Sequence, residues 1–328
     1  MKKIYIGIGV AGALLIATIT TFAFRSNSLD KTADKAKEYN EYVMTSNMEI
    51  LENDELKSYL VNVSYLQNDD KQYYKVELYD KALNQSQIIL RNDEGVFVLT
   101  PTLNQIFKFQ SDWPDNSPKP YIYHSLLSML DTGDVEKTND GYIVRGDISY
   151  PNDNRVKSQE IVFTKELEPQ RVIVYDEDQT EIIKVEVTEF NSEASLDTAS
   201  FNQDEVMKDS VNKYSNVANA LPLYPVALMG STLESQTVSN IDETENHILR
   251  FTGDNDFTII QSVANTDDVV TEELVNGEII ELVDGIGFYK NNELMMIQSG
   301  IVCRVYSNDL SKADMVSVVS SMQSASLK

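Results

Sequence analysis

The chain has 328 residues, with 27 Lys and Arg against 52 Asp and Glu, a single Cys (Cys303) and two His (His124 and His247). A net charge of −25 repels a phosphate backbone, whose binding needs clustered cations, so nucleic acid is a poor partner. One Cys excludes an internal disulfide and every multi-cysteine metal site, two separated His cannot supply a His-rich one, and no cofactor is expected.

At 42% hydrophobic residues the chain can bury a substantial core, and its length suggests two domains. Residues 1–3 hold Lys2 and Lys3. Ile4 to Phe24 follows without a charge and would span roughly 30 Å as a helix, enough to cross a bilayer. The two lysines stay cytoplasmic, so the expectation is a single-pass anchor at 4–24 with the bulk of the chain extracytoplasmic. The competing reading is a signal peptide cleaved after Ala23, at Thr21-Phe22-Ala23, but the apolar run exceeds the usual core of about 7 to 15 residues. No Cys follows the apolar run, so diacylglyceryl anchoring is not expected. Beyond the anchor, 25 basic residues face 52 acids, a balance of −27 that reads as a solvated, self-repelling surface.

Leu29, Ala33, Ala36, Tyr39, Tyr42 and Val43 fall on helical spacing and predict one amphipathic helix leading out of the membrane. From about Thr45 to Phe190 the period changes to two. Tyr59, Val61, Val63 and Tyr65 alternate with Leu60, Asn62 and Ser64, Tyr74, Val76 and Leu78 with Lys75, Glu77 and Tyr79, and Ile183, Val185 and Val187 with Lys184, Glu186 and Thr188. Breaks such as Asn92-Asp93-Glu94-Gly95 and Asn139-Asp140-Gly141 separate these runs, which predicts a meander of hairpins. Between Ser111 and Asp131, Pro118-Lys119-Pro120 stiffens a connection, and Ile122, Leu126, Leu127 and Leu130 share one face of a short helix. The first region, 25–208, is therefore a long curved antiparallel sheet with helices on one face.

Residues 209–225 read as a linker, closed by Leu221-Pro222-Leu223-Tyr224-Pro225. In 226–328 short strands recur around Thr258-Ile259-Ile260, Gly287-Phe288-Tyr289 and Ile301 to Tyr306. Ser311 and Asp314 make a capping box, with Met315, Val318, Val319 and Met322 on one face of the helix that follows. This second region is a small α+β domain, a sheet with one C-terminal helix.

No nucleophile elbow, zinc-helix motif, P-loop or dinucleotide fingerprint occurs. His124 reads as a polar side chain at a packed helix edge, His247 as an exposed loop residue beside acids, and Cys303 as a small mid-strand hydrophobe. Asp254-Asn255-Asp256 and Asp176-Glu177-Asp178 lack the Gly and Glu positions of a calcium loop and read as hairpin turns. The protein is not expected to be an enzyme. The candidate binding surface is the apolar lining under the short helix, Ile122, Leu126, Leu127 and Leu130, which core packing explains at least as well.

Ile88-Ile89-Leu90 and the run from Asn92 to Pro114, with Gly95-Val96-Phe97-Val98-Leu99-Thr100-Pro101 at its centre, resemble the LolA/RseB-like superfamily. The likeness is strongest to its sporulation branch in endospore-forming bacteria, the YdcC-like and germination lipoprotein-like proteins. Phe257 to Gln261, Gly285 to Tyr289 and Tyr306 to Ser311 are similar to the second domain of the same proteins. The resemblance implies a half-open antiparallel β-barrel with helices on the concave face, followed by the small α+β domain. It also implies a scaffold or partner-binding role in sporulation or germination. The partner would be an envelope or spore-wall protein, of which a cortex-modifying amidase is one kind. Alternatives are a lipid or acyl ligand held as in a lipoprotein carrier, and an envelope-stress sensor acting on an anti-sigma factor. An anchored chain that lacks the lipobox Cys departs from the pattern of a shuttling carrier.

Overall fold

The computed structural model describes residues 29–324, apart from 53–54, 83, 110–112, 115–117, 151, 212–220, 242–243, 264–270, 275–276 and 299–300. The expected anchor at 4–24 lies outside the described residues. Among those residues no helix is long and apolar enough to cross a membrane.

Helix α1 (29–37) buries Ala33 and Ala36. The spacing-based helix runs on through Tyr42 and Val43, but the structure puts both on strand β1 (Glu41–Glu52). The reason is a change of period, since Tyr42, Met44, Ser46, Met48 and Ile50 are buried at every second position. From β1 the chain meanders through β2 (Glu55–Asn68), β3 (Lys71–Asp80), β4 (Gln85–Asn92), β5 (Gly95–Thr100) and β6 (Gln105–Phe109). Helix α2 (Tyr123–Thr132) then crosses the inner face, and β7 (Asp134–Lys137), β8 (Gly141–Asp147), β9 (Ser158–Thr164), β10 (Pro169–Tyr175) and β11 (Glu181–Asn191) bring the chain back beside β1. The sheet stays open, because β7 forms one edge and β6 lies near the other.

Its inner face carries the main core. Tyr59, Val61, Val63 and Tyr65 pack there against Leu126 and Leu127 of α2, as their alternation predicted. Helix α3 (Gln203–Val211) lies on the opposite face, where Phe201, Val206 and Met207 cover Leu90, Phe97 and Leu99. Strands β4 to β6 are thus apolar on both sides, and the helices are not confined to the concave face.

The remaining strands are β12 (Leu223–Pro225), β13 (Ser231–Ile241), β14 (Thr244–Gly253), β15 (Phe257–Val263), β16 (Thr271–Leu274), β17 (Glu278–Glu281), β18 (Ile286–Lys290), β19 (Glu293–Gln298), β20 (Ile301–Tyr306) and β21 (Met322–Ser324). Seven of them form a second sheet in the order β13-β14-β15-β20-β19-β18-β17. Strand β16 leaves that region and pairs in parallel with β6, extending the large sheet to twelve strands. Helix α4 (Lys312–Ser320) packs Met315, Val318 and Val319 against Leu249, Ile259 and Val305.

The predicted capping box at α4 is present in both directions: Ser311 accepts from the Asp314 amide, and the Asp314 carboxylate accepts from the Ser311 amide. Ser311→Ala leaves the Asp314 amide without its cap. It is expected to lower the unfolding free energy by about 1 kcal/mol in urea denaturation, and an unchanged midpoint would contradict the cap's role. Met322, placed on the helix by spacing, begins β21 instead.

Candidate functional site

Among the described residues, side chains pack densely on the inner face of the large sheet. At one end, His124 sits among the rings of Tyr65 and Tyr42, with centroids 4.5 and 5.8 Å away, and its Nδ1 lies 3.3 Å from the Tyr74 hydroxyl. Tyr123 packs against Tyr42 and Phe190 in the same layer. This matches the packed helix edge expected of His124.

Across the rest of the face lies the turn joining β17 to β18. Leu282, Val283, Asp284 and Gly285 close a tight loop in which the Leu282 amide donates to the Gly285 carbonyl at 2.9 Å. Leu282 and Val283 are buried, and Val283, Ile286 and Phe288 belong to the core of the large sheet. Phe288 meets Phe107 and Phe109 at ring-centroid distances of 5.4 and 5.9 Å.

Side chains of the large sheet and the segment before α2 hold the backbone of this turn. Lys119 Nζ donates to the Leu282 carbonyl at 2.7 Å and the Tyr121 hydroxyl to the Val283 carbonyl at 2.9 Å. Gln87 Oε1 accepts from the Ile286 amide at 3.1 Å, and Asn152 Nδ2 donates to the Glu281 carbonyl at 3.2 Å. Side chains are recognised too: Asp284 by the Tyr59 hydroxyl at 2.9 Å and Lys57 Nζ at 3.7 Å, and Glu281 by Lys119 Nζ at 3.8 Å. A buried carbonyl without a donor costs about 1 to 3 kcal/mol, so the turn is stable here only because these donors meet it.

The electrostatics follow from burial. Lys119 is 2% exposed, and burial pulls its ammonium down from an ordinary 10.5 to about 8 despite the attraction of Glu281, Asp284 and Asp153. Glu52 is raised by burial first and by the nearby Asp284 second. Lys57 is raised because Asp284 and Glu52 together outweigh its own desolvation. Lys57 and Glu52 are in direct contact. This is a packed polar joint of alternating charge.

Beside the turn a cavity of about 50 Å³ remains, lined by polar groups that include Asp80, Gln85, Gln87 and Asp284. Sites for small molecules occupy roughly 300 to 1,000 Å³, so this cavity suits water and not an acyl chain. Of the four candidate lining residues, Ile122, Leu126 and Leu127 are buried in the core and Leu130 packs against it from a partly buried position. The structure therefore brings all four together in one core cluster.

The residues that hold the turn, Lys57, Tyr59, Lys119 and Tyr121, escape sequence reasoning. The available signal is Asp284-Gly285, a turn dipeptide preceded by the apolar pair Leu282-Val283.

His247 is not in a loop. It lies on β14, paired with Val238 of β13, with its side chain 12% exposed and Nε2 2.9 Å from Glu245. Cys303 is buried on β20, and desolvation pushes its thiol up to about 12. It is expected to resist Ellman's reagent in the native protein and to react stoichiometrically once the chain is unfolded. Rapid native labelling would contradict the burial. Asp176 accepts from the amides of Asp178 and Thr180, as a turn residue does, and among the described residues no group of acids, His or Cys is placed to hold a metal.

No protein-family model matches the chain. It is 31% identical over 309 residues to the sporulation protein YdcC of Bacillus subtilis strain 168, an alignment that covers 90% of this chain and 89% of that protein. The chain belongs to the YdcC family of sporulation proteins. The large, mostly antiparallel sheet described above stays open, as expected of a half-open barrel. Among solved structures, the Pseudomonas aeruginosa MucA/MucB complex is similar over 91% of this chain and 98% of that one, at 14% identity and a TM-score of 0.34. A putative outer membrane lipoprotein-sorting protein domain from Vibrio parahaemolyticus is similar over 54% of this chain and 97% of its own, at 12% identity and a TM-score of 0.31.

Proposed function

We propose that this member of the YdcC family is a non-enzymatic binding protein of sporulation or germination, a scaffold that docks a protein partner in the spore envelope. The observation that carries this reading is the occupied inner face. Among the described residues, the β17–β18 turn is bonded into the face that would take an acyl chain, and the cavity beside the turn is about 50 Å³. Binding then falls to outer surfaces, whose natural ligand is another protein.

The apolar stretch at 4–24 supports a single-pass anchor with the bulk of the chain outside the cytoplasm, where an envelope partner would be met. A cortex-modifying amidase is one such partner, by the family resemblance. The lipid-carrier reading requires the turn to leave the face, and native mass spectrometry of the full chain is expected to find no bound acyl species.

The reading is tested by affinity purification of the tagged full chain from sporulating cells, alongside germination assays on spores of a deletion strain. We expect a stoichiometric envelope protein to co-purify and germination to be impaired. Recovery of no envelope protein together with normal germination would overturn it.

A further inference from the structure

We infer that the small polar cavity beside the β17–β18 turn is a calcium site, in which one divalent cation is held between Asp80 of the large sheet and Asp284 of the turn. The cation would tie the two sheets together, a role separate from the partner binding proposed above.

The cavity lies where the apolar inner face of the large sheet gives way to polar residues. Val76 and Leu78 are buried on β3, and Asp80 follows two positions later on the same face. In the strand register Asp80 stands opposite Tyr59 on one side and Gln85 on the other, and Leu78 stands opposite Gln87. Gln85, Thr100 and Thr102 are 5%, 3% and 8% exposed, and all three line the cavity with Asp80, Gln87 and Asp284. Polar side chains this deep need partners. The Thr102 hydroxyl is bonded to no described residue. Thr100 gives its proton to the Gln105 carbonyl at 3.1 Å, and Gln87 Oε1 accepts from the Ile286 amide, so each keeps an oxygen lone pair for a cation.

Charge points the same way. Glu52, Asp80, Asp153, Glu281 and Asp284 surround this end of the face, against Lys57, Lys119 and Arg155. Arg155 is held by Asp153 at 2.8 Å, Lys119 stands 3.8 Å from Glu281, and Lys57 is in contact with Glu52 and 3.7 Å from Asp284. Lys81, next to Asp80 in sequence, bonds Asn47. Against its own desolvation, Lys57 is raised by Asp284, Glu52 and Asp80 together, so one ammonium answers three carboxylates. The excess negative charge falls to the two carboxylates that line the cavity.

A volume of about 50 Å³ has room for one cation with a few waters. No group of three acids, His or Cys is placed for a metal among the described residues, so the donor set is two carboxylates completed by amide and hydroxyl oxygens. Calcium accepts roughly six to eight such oxygens in irregular geometry, whereas magnesium demands a near-regular octahedron and gives up its water reluctantly.

The test follows hydrogen exchange in residues 282–286 of the full chain in detergent, stripped with EDTA and then titrated with calcium chloride. A site of this kind binds at about 0.1 to 1 mM, so about 10 mM calcium is expected to slow exchange in the turn about 10-fold or more. Magnesium at the same concentration is expected to slow it by less than about 2-fold. Asp80→Asn keeps the shape and removes a charge, and Thr102→Val removes the hydroxyl alone. Each is expected to lose most of the calcium response while keeping the circular dichroism spectrum of the wild type. Asp176→Asn, in a separate hairpin turn, is expected to respond in full. Absence of any slowing would mean that only water occupies the cavity, and it would overturn the site. A response that magnesium reproduces, or that survives both Asp80→Asn and Thr102→Val, is screening of a chain at −25 and would overturn it as well.

Discussion

Phe288→Ala is expected to lower the unfolding free energy by about 3 to 4 kcal/mol, at the large end of core truncations. The ring is buried between Phe107 and Phe109, which sit on the large sheet while Phe288 comes from the small one, so a single truncation opens a void at the joint between them. The loss should also be local. With its aromatic anchor gone, the turn keeps polar contacts worth about 1 kcal/mol each, and hydrogen exchange in residues 282–288 should accelerate ahead of global unfolding. Phe251→Ala provides the comparison, because Phe251 is as deeply buried but stacks on Phe257 within the core of the small sheet. If the two variants lose similar stability and show the same exchange pattern, the turn is not a separately released element. If Phe288→Ala alone also gains an acyl species in native mass spectrometry, the inner face is a binding face kept closed by the turn.

The second large effect depends on pH and follows from Lys119. Its pKa lies near 8 in the folded protein and 10.5 when exposed, so between these values the unfolded chain binds more protons than the folded one. Stability from this group is complete above about pH 10.5 and is lost as pH falls through about 8. Over that window the wild type should gain on the order of 3 kcal/mol relative to Lys119→Met, which has no proton to release. The difference between the two denaturation curves is the quantity to follow, because the buried tyrosines, whose hydroxyls are pushed upward by desolvation, contribute equally to both. Parallel curves from pH 7 to 10.5 would mean that Lys119 is solvated in solution. The same variant removes the donor to the Leu282 carbonyl, so faster exchange at Leu282 and Val283 at pH 7 is the accompanying sign.

Much of the fold is legible in the sequence because its determinants are local. Alternation at Tyr59, Val61, Val63 and Tyr65 records a strand with one buried face, and the Ser311 to Asp314 spacing records a helix start. Legibility fails where a residue's role is set by something distant. Tyr42 and Val43 extend a helical pattern by coincidence of spacing, and only the partners of β1 in β2 and β11 decide for a strand. Strand β13 is exposed on both faces, so it carries no periodic apolar signal at all. The occupied inner face is the clearest case. Lys119 and Leu282 meet across a separation of 163 residues, and nothing near either one announces the other. The candidate lining residues Ile122, Leu126 and Leu127 are buried, and an apolar helix face reads the same whether it lines a groove or fills one.

The pairing of β1 with β11, joining Val43 to Asn191, has a consequence for the order in which the molecule can be made. Hairpins between neighbouring strands close early, because their loops are short, but this seam waits for the intervening chain to emerge. The wait is longer for the inner face, whose buried apolar contributors run on to Phe288 and Ile297. The unfinished chain therefore carries an open, apolar concavity through most of its synthesis. Its many acidic residues then keep the unfinished chain dispersed and away from other unfinished copies.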